Sequence, residues 1–343
     1  MKVNKLEKIF INALINNEVK LNNKILECGV ISDWFRKNRI SGETLGFNSS
    51  WIEQQRRLRL KGLFLLKRMS DLLNKSDITY VIINYSHTIP YNLYDDVDVL
   101  IEHPLDLLAT VEILSKEGFC FYDYFNRLYA NTLALTAFYR EDKEIGIDFY
   151  PEPSYGTFQF FDRFRISRRR IRRNIATEVS VIETFLPSPE DELIIMPTHA
   201  FSHGRFTINE IYHGFNLIKD KDCEIDWNYI LDMTKRWAIG HILFLYMLFI
   251  NDFAITFFKR KLIDDKLKTL QMQQRIECNL LLDWFLKQNE RLISWPVKLS
   301  PWLLYKLAAF RAARLLKMGK DYKGEFIRHT LEQVATGLFG SRW

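Results

Sequence analysis

The sequence predicts an α+β fold, in which a small mixed β-sheet with N-terminal helices is followed by an all-helical C-terminal domain. Between about residues 51 and 155, short β-branched and aromatic runs alternate with stretches whose leucines recur at spacings of three and four. From Ser188 onward the pattern is nearly all helical, and Ser188-Pro189-Glu190-Asp191 is typical of a helix start. We therefore expect four regions, namely N-terminal helices at 1–50, a sheet-containing core at 51–155, an arginine-rich connector at 156–187 and a helical domain at 188–343.

The core elements follow in chain order from these patterns. Leucines on one helical face predict a first helix, and the β-branched run that follows it predicts a buried strand. A second strand precedes Pro104, which suits the first turn of a helix, and Gly118 ends that helix. Two strands separated by a polar turn complete the order. The predicted elements span 51–73, 78–83, 94–102, 104–116, 127–139 and 145–150.

Composition restricts the class of protein. Hydrophobic residues make up 48% of the 343 residues and aromatic residues 14%, which excludes a disordered chain. The net charge of +6 suits an anionic ligand such as a nucleotide or RNA. Four scattered cysteines without a CxxC pair, and an N-terminus without the pattern of a signal peptide, predict a cytoplasmic protein. The apolar stretch 241–258 contains Asn251 and Asp252, so we expect a buried helix there and no membrane span.

Three aspartates carry the clearest chemical signal. Asp96 and Asp98 are two residues apart on a predicted strand, so both side chains leave the same face. Asp148 lies on the strand 145–150 and faces away from its apolar neighbours in the same way. Carboxylates on one face repel each other unless a cation lies between them, and Mg²⁺ prefers such oxygen ligands. If the two strands are adjacent, the three carboxylates converge, which suits a two-metal site for phosphoryl chemistry.

The stretch around these acids resembles the nucleotidyltransferase superfamily. The pattern of that superfamily is an apolar strand, Gly-[Gly/Ser], a spacer, Asp-x-[Asp/Glu] and a later acid on another strand. Here Tyr85-Ser86 occupy the Gly-[Gly/Ser] position, Asp96-Val97-Asp98 is the paired acid, and Asp148 is the later one. Over about residues 51–250, the chain is similar to uncharacterised bacterial and archaeal nucleotidyltransferase-like proteins with a helical C-terminal half.

The resemblance implies a metal-dependent enzyme that moves an NMP group from an NTP, such as ATP, to an acceptor and releases pyrophosphate. It implies that Asp96, Asp98 and Asp148 are the catalytic residues and bind Mg²⁺ or Mn²⁺, with Asp148 helping to deprotonate the acceptor. Ser86 is then the residue that contacts the β- or γ-phosphate, with Tyr85 and His87 beside it.

Two alternatives to an active transferase stay open, and Tyr85 is the reason for the first of them. The family has a glycine at this position, because a residue without a Cβ lets the backbone approach the triphosphate closely. One alternative is a catalytically degenerate protein that binds a nucleotide or RNA without turnover. The other is a module like those of toxin and antitoxin systems, which modifies a protein or a tRNA.

The arginine run is a second candidate for ligand binding. Seven arginines within 163–173 favour a clamp for the phosphates of a nucleotide or of an RNA backbone, and Arg168 and Arg169 are the candidates for the nucleotide site. The alternative is a solvated connecting helix. His199 and His203 share a helical face without the glutamate of an HExxH motif, so we expect a packed pair there and no zinc.

Overall fold

The structure is a computed structural model. It describes residues 49–83, 96–123, 135–140, 144–150, 154–155, 158–159, 163–177, 180–202, 205–206, 208–221, 224–258, 261–262, 265, 268–270 and 297–298. These residues divide into two compact units, of which the first runs up to Glu192 and the second begins at Leu193. Almost all of the N-terminal region predicted to be helical, 1–50, lies outside the described residues.

The first unit contains the predicted core. Its larger elements are helix α1 (Ser49–Lys75), strands β1 (Tyr80–Ile83) and β2 (Asp96–Ile101), helix α2 (Pro104–Lys116), and strands β3 (Phe119–Asp123), β4 (Leu135–Tyr139) and β5 (Gly146–Tyr150). Shorter elements follow, namely β6 (Ser154–Tyr155), β7 (Phe158–Gln159), α3 (Arg163–Arg168), β8 (Ile171–Ala176) and β9 (Val181–Leu186). The predicted mixture of helices and a sheet is confirmed, and β3 is a strand that the sequence analysis did not predict.

Strands β1 to β5 form one mixed sheet in the order β1-β2-β5-β4-β3. Strands β2 and β5 run parallel, whereas the other neighbouring pairs run antiparallel. A parallel pair requires a crossover, and here the chain between the two strands contains α2, β3 and β4. This topology brings the segment of Asp96 and Asp98 against the segment of Asp148.

Helices α1 and α2 supply side chains to the core of this sheet. Leu66 of α1 and Leu114 of α2 belong to the same fully buried cluster as Val99, Ile147 and Phe149 of the central strands. Burying one such side chain stabilises the fold by about 1.5–3 kcal/mol. Since successive strand residues point to opposite faces, the alternate residues of β2 and β5 lie on the face away from this cluster.

The β8–β9 hairpin packs on the same core, in the region that the sequence predicts to be a connector. Ile182 belongs to the buried cluster. The hydroxyl of Ser70 donates to Thr184 Oγ1 at 3.2 Å, and the Asn74 amide donates to the carbonyl of residue 183 at 3.1 Å. The Tyr80 hydroxyl donates to Asn74 Oδ1 at 3.1 Å, and burial raises the pKa of this phenol. Buried polar groups that satisfy each other in this way fix the hairpin to α1 and β1.

Helix α4 (Pro189–Ser202) begins where the sequence predicts it. The backbone N–H of Asp191 donates to Ser188 Oγ at 3.2 Å, and the Ser188 hydroxyl donates to the Asp191 carboxylate at 2.9 Å. Ser188 is thus the predicted N-cap, with Pro189 in the first turn.

The described part of the second unit is mainly helical. After the end of α4 it contains α5 (Ile208–Lys221), α6 (Trp227–Arg236) and α7 (Gly240–Phe258), and strands β10 (Arg205–Phe206) and β11 (Val297–Lys298). β10 and β11 pair antiparallel. This short pair is absent from the all-helical prediction for 188–343.

Helices α5 and α7 approach closely at Gly214. A Cβ on Gly214 would lie 2.2 Å from Tyr246 Oη, so any larger residue would force the two helices or the tyrosine to shift. Tyr246 is fully buried, and its hydroxyl donates to the carbonyl of Glu210 at 2.7 Å. Helix α7 is buried along most of its length, as predicted for 241–258. Among the described residues, no helix is long and apolar enough to cross a membrane.

Candidate metal centre

Three aspartates meet on neighbouring strands of the sheet. Asp98 of β2 lies directly opposite Asp148 of β5 in the parallel register, and Asp96 lies opposite Gly146. Val97 and Val99 alternate with the two β2 acids and are buried in the core cluster. The apolar residues of the strand therefore direct the acids to the other face.

The three carboxylates are close enough to share a cation. One carboxylate oxygen from each of Asp96, Asp98 and Asp148 can be chosen so that all three lie within 4.8 Å of one another. Asp96 is exposed and Asp148 is half-buried, whereas only 7% of the surface of Asp98 is exposed to solvent. The structure thus brings together the acids that the sequence singles out.

The donor set fits a hard divalent cation. Three carboxylates at this separation repel each other, and the repulsion is strongest for the desolvated Asp98. Mg²⁺ and Mn²⁺ favour such oxygen ligands, and Mg²⁺ commonly takes one or two protein carboxylates together with substrate phosphates. With Asp96 exposed at one side of the group, a phosphate-bearing ligand can complete the coordination from solvent.

Thr136 is a polar neighbour of this site that sequence reasoning missed. It lies on β4 directly opposite Asp148, and its hydroxyl donates to Asp148 Oδ1 at 2.5 Å. Thr136 is itself buried. A threonine within the strand LTAFY looks like any β-branched strand residue. Only its position next to Ala137, which points to the opposite face of the strand, could have placed it on the face of the acids.

The beginning of β5 is fixed by an ion-pair cluster. Arg57 and Lys61 of α1 both contact the carboxylate of Glu144, which lies two residues before the start of β5. Hydrogen bonds from Arg57 and Lys61 lower the pKa of Glu144. The cluster ties the strand that carries Asp148 to the helix that covers the core.

The predicted phosphate contacts Tyr85, Ser86 and His87 lie outside the described residues. Ile83, the last described residue before them, pairs with Asp98 across β1 and β2. The chain therefore enters this segment next to the most buried of the three acids. The role of these residues in nucleotide binding stays a prediction.

The arginine run is divided among several elements. Arg169 forms ion pairs with Glu190 at 2.9 Å and with Asp191 at 3.4 Å. Other arginines of the run also have partners within the fold: Arg170 lies over the ring of Phe185, and Arg172 pairs with Glu183. Arg168 and Arg173 are exposed. Phosphate binding by Arg168 and Arg169 stays a prediction, and for Arg169 the structure supplies acidic partners instead.

The predicted histidine pair is only partly described. His199 is half-buried on α4, and His203 lies outside the described residues. Packing of these two side chains against each other stays a prediction.

The family resemblance is confirmed by comparison with known proteins. Residues 93–254 match the model of a family described as an uncharacterised nucleotidyltransferase. The matched segment contains all three acids and extends through most of α7. No curated protein matches the chain.

Proposed function

We propose that this protein, with its nucleotidyltransferase segment, transfers an NMP group from an NTP to the hydroxyl of an acceptor with release of pyrophosphate. The observation that carries the proposal is the convergence of Asp96, Asp98 and Asp148 from two adjacent strands. The family match supplies the class of reaction, and the acid cluster supplies a place for the divalent ions that this reaction uses.

The three acids take distinct roles in this proposal. Asp96 and Asp98 would hold both Mg²⁺ or Mn²⁺ ions, and Asp148 would hold the ion on the acceptor side. When bound, these ions offset the negative charge that develops on the phosphates and acidify the acceptor hydroxyl. The resemblance assigns Asp148 to the acceptor side, and the exposed Asp96 leaves the group of acids open to an incoming nucleotide.

The chemical step is an in-line displacement. The acceptor oxygen forms a bond to the α-phosphorus, and the bond from that phosphorus to the oxygen bridging to the β-phosphorus breaks. Pyrophosphate leaves with the electron pair of that bond, and Asp148 takes the proton of the acceptor hydroxyl. Ser86 contacts the β- or γ-phosphate, with Tyr85 and His87 beside it. Catalysis then rests on positioning and charge neutralisation rather than on a covalent intermediate.

Label transfer tests the proposal. The purified chain is incubated with α-labelled ATP, CTP, GTP or UTP, Mg²⁺ or Mn²⁺, and extract of its own cells as the source of acceptor. Asp96→Asn removes a metal ligand, and Asp71→Asn is the matched control because Asp71 is an exposed acid on α1. We expect label with wild type and with Asp71→Asn, and none with Asp96→Asn. Absence of label from folded wild type with every nucleotide overturns the proposal.

The same experiment identifies the acceptor. Label in an RNA band indicates a tRNA or another RNA as acceptor, and label in a protein band indicates a protein target. Either result would decide whether the protein acts as a module that modifies a cellular partner.

A second candidate function is nucleotide or RNA binding without turnover. It is favoured by Tyr85, which stands where the resemblance to the superfamily implies a glycine. A binder of this kind retains its nucleotide affinity in Asp96→Asn, which calorimetry measures directly. An enzyme of the proposed kind loses metal-dependent nucleotide affinity with the same substitution.

A further inference from the structure

Thr136 and Asp148 form a buried contact beside the metal centre. The two residues are direct cross-strand partners on β4 and β5, and the Thr136 hydroxyl donates to one carboxylate oxygen, Oδ1. One oxygen of the Asp148 carboxylate is thus held by a hydrogen bond from the neighbouring strand. A hydrogen bond to a charged acceptor is about twice as strong as one between neutral groups.

Gly146 fixes the orientation of that threonine. A Cβ on Gly146 would lie 3.0 Å from the methyl carbon of Thr136 and 3.2 Å from the ring of Phe138. The methyl group of Thr136 therefore packs into the space that the missing Cβ of Gly146 leaves. Because a β-branched side chain is stiff at χ1, placing the methyl there also places the hydroxyl. The pair of residues thus aims the hydroxyl at Asp148.

We infer that Thr136 is the positioning residue of this site, which holds the Asp148 carboxylate in the orientation that binds the divalent ion. The inference rests on the proposed function and deepens it by assigning the residue that orients the acid on the acceptor side. Residues that orient a metal ligand in this way typically contribute 10–100-fold to metal affinity, an order-of-magnitude expectation.

A purely structural role predicts something different. Thr136 is 4% exposed and is flanked by the buried Ala137 in an otherwise apolar strand. Valine has nearly the same shape as threonine and suits a buried strand position. If the hydroxyl only completed the packing, Thr136→Val would leave the metal site intact, and metal affinity separates the two roles.

The experiment measures Mn²⁺ affinity from the electron paramagnetic resonance signal of free Mn²⁺. It compares wild type with Thr136→Val, Thr136→Ser and Asp148→Asn, and thermal unfolding of each variant reports on folding. Thr110→Val is the matched control, since Thr110 is also buried but donates to a backbone carbonyl of α2. We expect Thr136→Val to weaken binding by at least about tenfold. Thr136→Ser keeps the hydroxyl but lacks the methyl that aims it, so it is expected to restore part of the affinity, and Thr110→Val is expected to match wild type.

Two failures can be told apart. If Asp148→Asn loses Mn²⁺ while folded Thr136→Val binds as tightly as wild type, the positioning role is wrong and the proposed function stands. If wild type binds no Mn²⁺, or binds it no better than Asp148→Asn, the proposed metal centre is wrong and the positioning role falls with it. Should Thr136→Val not fold, Thr136→Ala carries the test, because it also removes the hydroxyl. Wild-type affinity in folded Thr136→Ala then overturns the inference.

Discussion

Arg169 separates a structural interpretation of the arginine run from a phosphate-binding one. Its guanidinium lies 2.9 Å from a Glu190 oxygen and 3.4 Å from an Asp191 oxygen, and these carboxylates are 8% and 1% exposed. Replacing Arg169 by methionine keeps a long apolar side chain and leaves two buried carboxylates at the start of α4 without this cation. Replacing Arg168, its exposed neighbour, removes the same charge without that consequence.

The contacts set the size of the effect. At an effective dielectric constant of about 20, opposite unit charges about 3 Å apart attract by roughly 5–6 kcal/mol. Part of that attraction is recovered when water reaches the carboxylates, so removing one partner of a buried pair costs about 3–5 kcal/mol. Because Arg169 keeps 34% of its side chain exposed, we expect the lower end, about 3 kcal/mol, for Arg169→Met. For Arg168→Met we expect a change within about 0.5 kcal/mol.

Urea unfolding of the full chain, followed by circular dichroism, measures the two free energies under identical conditions. A loss confined to Arg169→Met supports the structural role. Equal losses below about 1 kcal/mol for both variants would refute the reasoning, since an exposed ion pair is worth no more than that. Nucleotide affinity of the same two proteins completes the comparison, because a phosphate clamp predicts weaker binding for Arg168→Met at unchanged stability.

Three further predictions concern stability. Gly214→Ala places a methyl 2.2 Å from Tyr246 Oη and is expected to cost about 1–3 kcal/mol in urea unfolding, partly recovered in the double variant with Tyr246→Phe. Burial raises the pKa of Asp252 from 3.8 to about 6, so stability falls as pH rises through that window. Asp252→Asn is therefore expected to raise the thermal midpoint at pH 7.5 and to change it little at pH 3.5. Hydrogen bonds from Arg57 and Lys61 lower the pKa of Glu144 below 4.5. These bonds therefore contribute to stability above that pH, and the contribution is lost as pH falls below it. Glu144→Gln is expected to lower the thermal midpoint at pH 7 and to weaken its acid dependence.

Each of these predictions has a contrary outcome. If the double variant is no more stable than Gly214→Ala, the added methyl does not clash with the Tyr246 hydroxyl. An equal change in midpoint at both pH values for Asp252→Asn shows that the effect is not one of protonation. A midpoint for Glu144→Gln that matches wild type from pH 3 to 7 shows that the exposed ion pairs contribute nothing measurable, as is common for such pairs.

The sequence predicts the acid face of the sheet because alternation is a local property. Asp96 and Asp98 interleave with apolar residues, and that pattern alone assigns them to the face away from the core. The adjacency of β2 and β5 is different, because it is a long-range pairing that no local pattern reports. The parallel register of Asp98 with Asp148 therefore emerges only in the folded sheet.

Two features that the sequence did not predict, strand β3 and the ion pairs of Arg169, also have physical explanations. Strand β3 begins directly after Gly118 and is aromatic on both faces, so it lacks the alternation that marks a half-buried strand. The run itself contains no acid, because the acids that bind Arg169 lie in the first turn of α4. Glu190, for example, is 21 residues further along the chain. Residues 84–95 lie outside the described residues, so the phosphate contacts expected for Ser86 and its neighbours stay predictions.

The geometry of the candidate metal centre and the stability of the core rest on the same strand register. A slip of one residue along β2 would turn Asp96 and Asp98 into the cluster that contains Val99 and Phe149, and would expose the valines. Burying unpaired carboxylates costs several kcal/mol each, so that register is excluded by folding itself. The apolar alternation that holds β2 and β5 against the helices therefore also holds the acids opposite one another. Asp96 is exposed and lies outside that cluster, so Asp96→Asn changes a metal ligand without touching the core, which makes it an informative test of function.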